Sequence, residues 1–260
     1  MKRWTGLMGV TLLAVLVAGC PAAATLEHQF DDAYLTQVPE ERMEEVFEVR
    51  READRASMEI ERAEAAVRQA EIEVERAENL VERAELAVDL AETNLEAARD
   101  TLDPDRIEAA RQPLIEAQQD LRVAEARVDY AESFRDWREA ERDYREAVHV
   151  AHLARVELTE ARVVEEEGLR APGPTVSEFE EQQREMVMEA RRALSEAQEA
   201  REVAEAQRSA WRRVAEAAEE ARQEVEEEQP QSPGRAVGTS AQARPHYGSR
   251  RRGWGAYVCS

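Results

Sequence analysis

The sequence predicts an all-α fold: an elongated antiparallel coiled coil, arranged as an up-down-up three-helix bundle with disordered termini. Three observations point there. The 260 residues are 35% charged and only 5% aromatic, with 10 Gly and 9 Pro. A chain dominated by Ala, Glu and Arg with helical apolar periodicity forms long helices or coiled coil. Apolar residues recur every seven positions through most of the chain, and a 3.5-residue period winds helices into a left-handed supercoil. Two turn-rich breaks, Thr101-Leu102-Asp103-Pro104 and the run from Gly168 to Pro174, divide the repeat into three stretches of similar length. This composition disfavours sandwiches, barrels and dinucleotide-binding folds.

At the N-terminus Lys2 and Arg3 precede an apolar stretch from Trp4 to Gly19, followed by Cys20. The stretch falls short of the about 20 residues a membrane span requires. A basic start, a short apolar region and small residues before a cut site form a secretory signal. The end of that stretch, Val17-Ala18-Gly19-Cys20, resembles the lipobox of bacterial lipoproteins, whose signal is cut before the cysteine and whose cysteine is lipidated. The resemblance covers about the first 20 residues. It implies a lipoprotein signal peptide over 1–19, lipidation at Cys20 with palmitate among the acyl chains, and a membrane anchor. Triacylation exceeds the two signals that stable anchoring needs. Pro21 stands where an Asp commonly marks inner-membrane retention. The expected location is therefore the outer membrane, facing the periplasm. Residues 20–45 read as the lipidated cysteine and a tether. Ala22, Ala23 and Ala24 come first, then the mixed run Phe30-Asp31-Asp32-Ala33-Tyr34, without a sustained period.

The rod is expected over 46–228. In its first helix, about 46–102, one seam is Ile60, Val67, Val74, Val81, Val88 and Leu95, and the other is Ala63, Ala70, Ala77, Ala84, Ala91 and Ala98. Val46, Val49, Ala53 and Ala56 extend the same phases backwards. Ala at alternate seam positions allows helix backbones to approach closely, and β-branched residues fill the space between. The residue before Pro104 avoids the α region, while Pro suits a first helical turn. The second helix, about 105–167, restarts as Ile107, Leu114, Leu121 and Val128 with Ala110, Ala117, Ala124 and Ala131. Pro113 is expected to kink it or mark its true start. Near Phe134 the phase slips to Trp137, Tyr144, Ala151 and Leu158. The third helix, about 177–228, carries Phe179, Met186, Ala193 and Ala200 on one seam and Gln183, Ala190, Ala197, Ala204 and Trp211 on the other. Ser177 with Glu180 is the expected capping box. Glu64–Arg68, Glu141–Arg145 and Glu180–Arg184 are expected i,i+4 pairs.

Folding the rods back at their turns sets a register. Helices 1 and 2 pair at positions summing to about 207 and helices 2 and 3 at about 344, if loop centres near 103–104 and 172 are the fold points. Phe134, Trp137 and Trp211 are then expected in one aromatic layer, accepted by Ala70, Val74 and Ala77. A two-helix hairpin with a loosely docked third helix is the competing arrangement.

From 229 to 260 the composition changes to Pro, Gly and Ser with five Arg and no acid. Such a segment is expected to be a disordered basic tail. Arg250, Arg251, Arg252 and Trp254 are its candidate partner contacts, since cations beside aromatics suit an anionic polymer or an acidic protein face. Cys259 is the candidate for an intermolecular disulfide, being the one thiol left once Cys20 is lipidated. His149 and His152, three apart on one helix, have a metal-compatible spacing but read as ordinary helix histidines. The many carboxylates read as solvated faces, because acid–base chemistry needs them held in a cleft. The expectation is therefore a protein that is not an enzyme, with no catalytic residues, no cofactor and no metal. The formal charge of −22 argues against nucleic acid as a partner. The expected partners are the membrane through the lipid anchor, an envelope protein or peptidoglycan, and a second copy through self-association.

Two functions follow from these expectations. One is a non-enzymatic coiled-coil scaffold or spacer, anchored in the outer membrane of a bacterial envelope. The other rests on a resemblance of residues 46–167 to the long α-hairpins of periplasmic efflux and secretion adaptors, which have Ala-rich heptads either side of a tight turn. It implies an adaptor component of a transport complex. No strand pattern for the lipoyl and β-barrel segments of such adaptors occurs in the chain.

Overall fold

A computed structural model describes residues 26–169 and 173–228. Three long helices account for most of them: α1 (Glu44–Asp100), α2 (Pro104–Glu166) and α3 (Val176–Glu228). At 1.5 Å per residue they are rods of about 85, 95 and 80 Å. No strand occurs among the described residues. The expected signal peptide and the expected basic tail lie outside them.

Each helix follows from its seam. The buried residues of α1 are Val46, Val49, Ala53, Ala56, Ala63, Val67, Ala70, Val74, Ala77, Ala84, Ala91 and Leu95, all of them seam positions of the heptad reading. The expected pairs Glu64–Arg68, Glu141–Arg145 and Glu180–Arg184 form at 3.5, 3.9 and 3.2 Å. α2 starts at Pro104, with the Asp103 side chain accepting the Asp105 N–H at 3.1 Å. It continues through Pro113, so that residue is neither the start nor the end of the helix.

The breaks are built differently. At the α1–α2 turn Leu102 takes φ 57°, a left-handed conformation that costs a residue with a Cβ about 1–2 kcal/mol. At the end of α2 the same conformation falls on Gly168, φ 70°. The Leu169 N–H bonds Val164 O at 3.1 Å and the Gly168 N–H bonds Glu165 O at 2.9 Å, the paired bonds of a Schellman stop. The cap of α3 falls two residues earlier than expected, at Thr175 in place of Ser177. The capping box is Thr175 with Glu178, whose carboxylate accepts the Thr175 N–H at 2.6 Å and hydroxyl at 2.9 Å. Ser177 with Glu180 does not form it, because Glu180 is bonded to Arg162 and Arg184 instead.

α2 packs along both other helices, and α1 and α3 make no extended contact with each other. Both pairings are antiparallel. Val49 and Ala53 pack on Val156, and further along Val74 and Ala77 pack on Ala131. On the other side Phe179 packs on Leu158 and Ala161, while Arg222 pairs with Asp120 near the far end. The base of the rod therefore holds the start of α1, the end of α2 and the start of α3. The far end holds the α1–α2 turn and the end of α3.

This placement corrects the expected aromatic layer. Trp211 stacks on Tyr130, with centroids 5.8 Å apart and planes 1° apart. Phe134 links Tyr130 to Trp137 at 5.9 and 5.4 Å, and Arg201 of α3 lies 5.7 Å from the Trp137 ring. The four rings form a chain along the α2–α3 side instead of one layer. With α2 ending at 166 and α3 starting at 176, the fold point is nearer 171 than 172, which slides α3 relative to the expected register. Val74 and Ala77 meet Ala131 and Val128, not the rings, because α1 lies on the other flank of α2.

Phe179 is 1% exposed, so Phe179→Ala should cost about 3–5 kcal/mol of stability in denaturant unfolding. Trp137→Ala should cost less, since its ring is only half-buried. Leu86, 67% exposed, should change stability by less than about 0.5 kcal/mol on truncation to Ala.

Candidate functional site

The most elaborate side-chain constellation among the described residues is at the base of the rod. Because α1 and α3 flank α2 without meeting, α2 carries an open trough on each face. One trough is filled at the base by residues 26–43, the stretch expected to be a tether. They form two 3-10 turns, Asp32–Gln37 and Glu40–Arg42. Asp31 caps the first, accepting the Ala33 N–H at 2.9 Å. Leu35, Val38 and Met43 bury themselves with Val46, Val163 and Val164. Phe30 reaches both this cluster and the one around Phe179, meeting the Phe179 ring edge-on at 6.3 Å. The segment is thus a strap across all three helices. Its run of Phe30, Tyr34, Leu35 and Val38 had lacked a heptad period because a strap crosses helices instead of lying along one.

Polar groups fasten the strap at four points. The Gln182 amide pairs with the His28 backbone, accepting its N–H at 2.7 Å and donating to its carbonyl at 3.0 Å. The Phe30 N–H donates to the Glu157 carboxylate. Arg50 joins Asp32 of the strap at 2.8 Å to Glu160 of α2 at 2.6 Å, and Arg42 pairs with Glu166 and Glu167 at 2.5 and 3.2 Å.

Glu160 is the unusual member, being only 2% exposed. Burial pushes its carboxyl up to about 7, against the pull of the Arg50 guanidinium, and Asp32 and Glu157 push it the same way as burial. Burial likewise raises Glu157, against the Phe30 N–H that lowers it. A carboxyl whose charge is disfavoured by burial holds a proton more readily in the covered state than in water.

The expected site residues lie elsewhere. Cys20, Arg250, Arg251, Arg252, Trp254 and Cys259 are outside the described residues. His149 and His152 lie on α2; burial and the neighbouring His152 pull His149 down, and His152 Nδ1 is 3.8 Å from Glu52. His152 borders the opposite trough, which persists as a groove of about 450 Å³ between α2 and α3. Arg50, Glu157, Glu160 and Gln182 had no signal as a site. The hint was extra apolar density, Val156 and the adjacent Val163-Val164, more than two seams require.

Comparison with protein-family models, curated proteins and solved structures gives no match.

Phe30→Ala should free the strap without melting the rod. Limited proteolysis should then cut within 26–43 while helical circular dichroism stays within a few per cent of wild type.

Proposed function

We propose that the protein is a non-enzymatic, lipid-anchored spacer or scaffold of the bacterial envelope, held in the outer membrane through Cys20. One observation carries the reading: the described chain is a long helical rod whose strap brings His28 to the base, bonded to Gln182, eight residues after Cys20 in sequence. An anchor there places the base at the membrane. The far end, where α3 finishes at Glu228, then stands about 80–95 Å away if the rod is upright. The Arg-rich stretch from 229 onward follows directly, and Arg250, Arg251, Arg252 and Trp254 are proposed to contact an anionic envelope polymer or an acidic protein there.

Cys20→Ser should abolish acylation and leave uncleaved or mislocalised precursor. Fractionation of that variant with the outer membrane, together with an unmodified N-terminus by mass, would refute the anchor. Deleting 229–260 should preserve the melting temperature and membrane fractionation but abolish co-sedimentation with cell-wall material.

A second reading, an adaptor component of an efflux or secretion complex, is favoured by Leu102. This apolar side chain is 86% exposed at the hairpin tip on a left-handed backbone, where a glycine would be relaxed. Leu102→Gly should keep or raise stability. A loss of partner crosslinking in that variant, with crosslinking intact after tail deletion, would favour the adaptor over the spacer.

A further inference from the structure

The strap covers two α2 carboxylates whose ionised form is disfavoured beneath it, and this couples its docking to protons. Glu160 lies one turn before Val164 on α2, and Val164 shares an apolar cluster with the strap residues Leu35, Val38 and Met43. Glu157 is bound directly by the strap at the Phe30 N–H. The strap also brings Asp32, a third carboxylate, to within 2.8 Å of the Arg50 guanidinium that serves Glu160. Two acids thus share one arginine, whose charge also reaches Glu157.

We propose that residues 26–43 are a proton-linked clasp: docking over Glu157 and Glu160 takes up protons, so the clasp closes at mildly acidic pH and loosens as pH rises to neutral.

The sign follows from the covered and uncovered states. Lifting the strap removes its apolar cover and the Asp32 charge, both of which hold the Glu160 carboxyl up near 7. Arg50 belongs to α1 and stays behind to favour the carboxylate. Glu160 therefore falls back toward its ordinary value of 4.5 when the strap lifts. A group raised in the closed state stabilises closure fully below its open-state value and loses that contribution as pH rises through the closed-state one. The window lies between pH 4.5 and about 7. Glu157, also raised by burial, adds in the same direction.

Other charged groups around the clasp do not supply this response. Arg42 pairs with Glu166 and Glu167, which are exposed. On α3, Glu178 is held low by Thr175 and Glu180 by Arg162. The His28 ring packs edge-on against Phe179 and lies near Glu178 of α3, so a His28→Gln variant separates any contribution of that ring from that of Glu160.

The clasp stands on the fold and does not require the anchor. If Cys20 is anchored, the closed clasp leaves six residues before Leu26, spanning at most about 20 Å, and the open one leaves about 24 residues before Glu44, spanning up to about 80 Å. Closure would hold the base close to the membrane, and opening would let the rod swing away.

Amide hydrogen exchange on the full chain tests this, with protection factors corrected for the intrinsic pH dependence of exchange. Protection over 26–43, read at the His28 and Phe30 amides, should fall about tenfold or more between pH 5.5 and 8. Amides in the middle of α1 should not change. Glu160→Gln, which cannot ionise, should flatten most of that fall, and His28→Gln should preserve it. Strap protection that is constant with pH in the wild type would overturn the proposal whatever the variants do. So would a full response in Glu160→Gln, or one that disappears in His28→Gln. Should Glu160→Gln release the strap at every pH, Glu157→Gln decides: a smaller fall than wild type supports the clasp, and an undiminished one overturns it.

Discussion

Alanine at alternate seam positions lets α2 lie close to two neighbours at once, and the rest of the molecule follows from that placement. Ala63, Ala70, Ala77, Ala84 and Ala91 of α1 are buried, as are Ala117, Ala124 and Ala131 of α2 and Ala190, Ala197 and Ala204 of α3. Small side chains bring backbones together but contribute little apolar area each. Stability is therefore spread along the rod, and large side chains matter where they occur. They concentrate at the base, with Phe30, Phe179, Leu35, Leu158 and Met43, and in the ring chain from Trp137 to Trp211.

With α1 and α3 on opposite flanks of α2, the arrangement leaves two troughs that a closed bundle would not have. At the base one trough is closed by the strap. This makes residues 26–43 the only described element that ties all three helices together. Beside its apolar contacts the strap is fastened by polar groups, and this has a physical consequence. A buried Arg–carboxylate contact is a weak source of net stability, since desolvation offsets most of the attraction. It is a strong source of position, because breaking it leaves Glu160 covered and unpaired. Arg50 therefore acts as a pin for the strap: it can satisfy Asp32 and Glu160 together in one register only.

The middle of the rod shows how a phase change is accommodated. Near Phe134 the seam of α2 shifts, and there the rings of Tyr130, Phe134 and Trp137 stand along the α3 side with Arg138 over both Phe134 and Trp137, at 4.9 and 4.1 Å. Bulky rings cannot occupy the narrow alanine seam against α1. Turning them toward α3, where Ala204 and the Arg201 stem leave room, keeps the α1–α2 contact close while burying the rings in part. The aliphatic character of Val74, Ala77, Val128 and Ala131 is the other side of the same division.

What the sequence determined by itself was the helical period, the three rods, their breaks and the register of α1 against α2. These depend on nearest neighbours along the chain and on which face of a helix is apolar, both of which a heptad states directly. Val49 opposite Val156 and Val74 opposite Ala131 lie within two residues of where a fold point at the Asp103-Pro104 turn puts them. Tertiary structure alone decided which flank of α2 each partner takes. A seam records that a face is buried without recording by what, so the rings were assigned to a layer shared with α1. The strap was hidden for a related reason: residues that cross helices have no period of their own. Glu160 was hidden because a carboxylate in an Ala-Glu-Arg helix looks like any other until its neighbours come from α1 and residues 26–43. Burial, which gives that one glutamate its distinct chemistry, is a property of the assembled base and of no local segment.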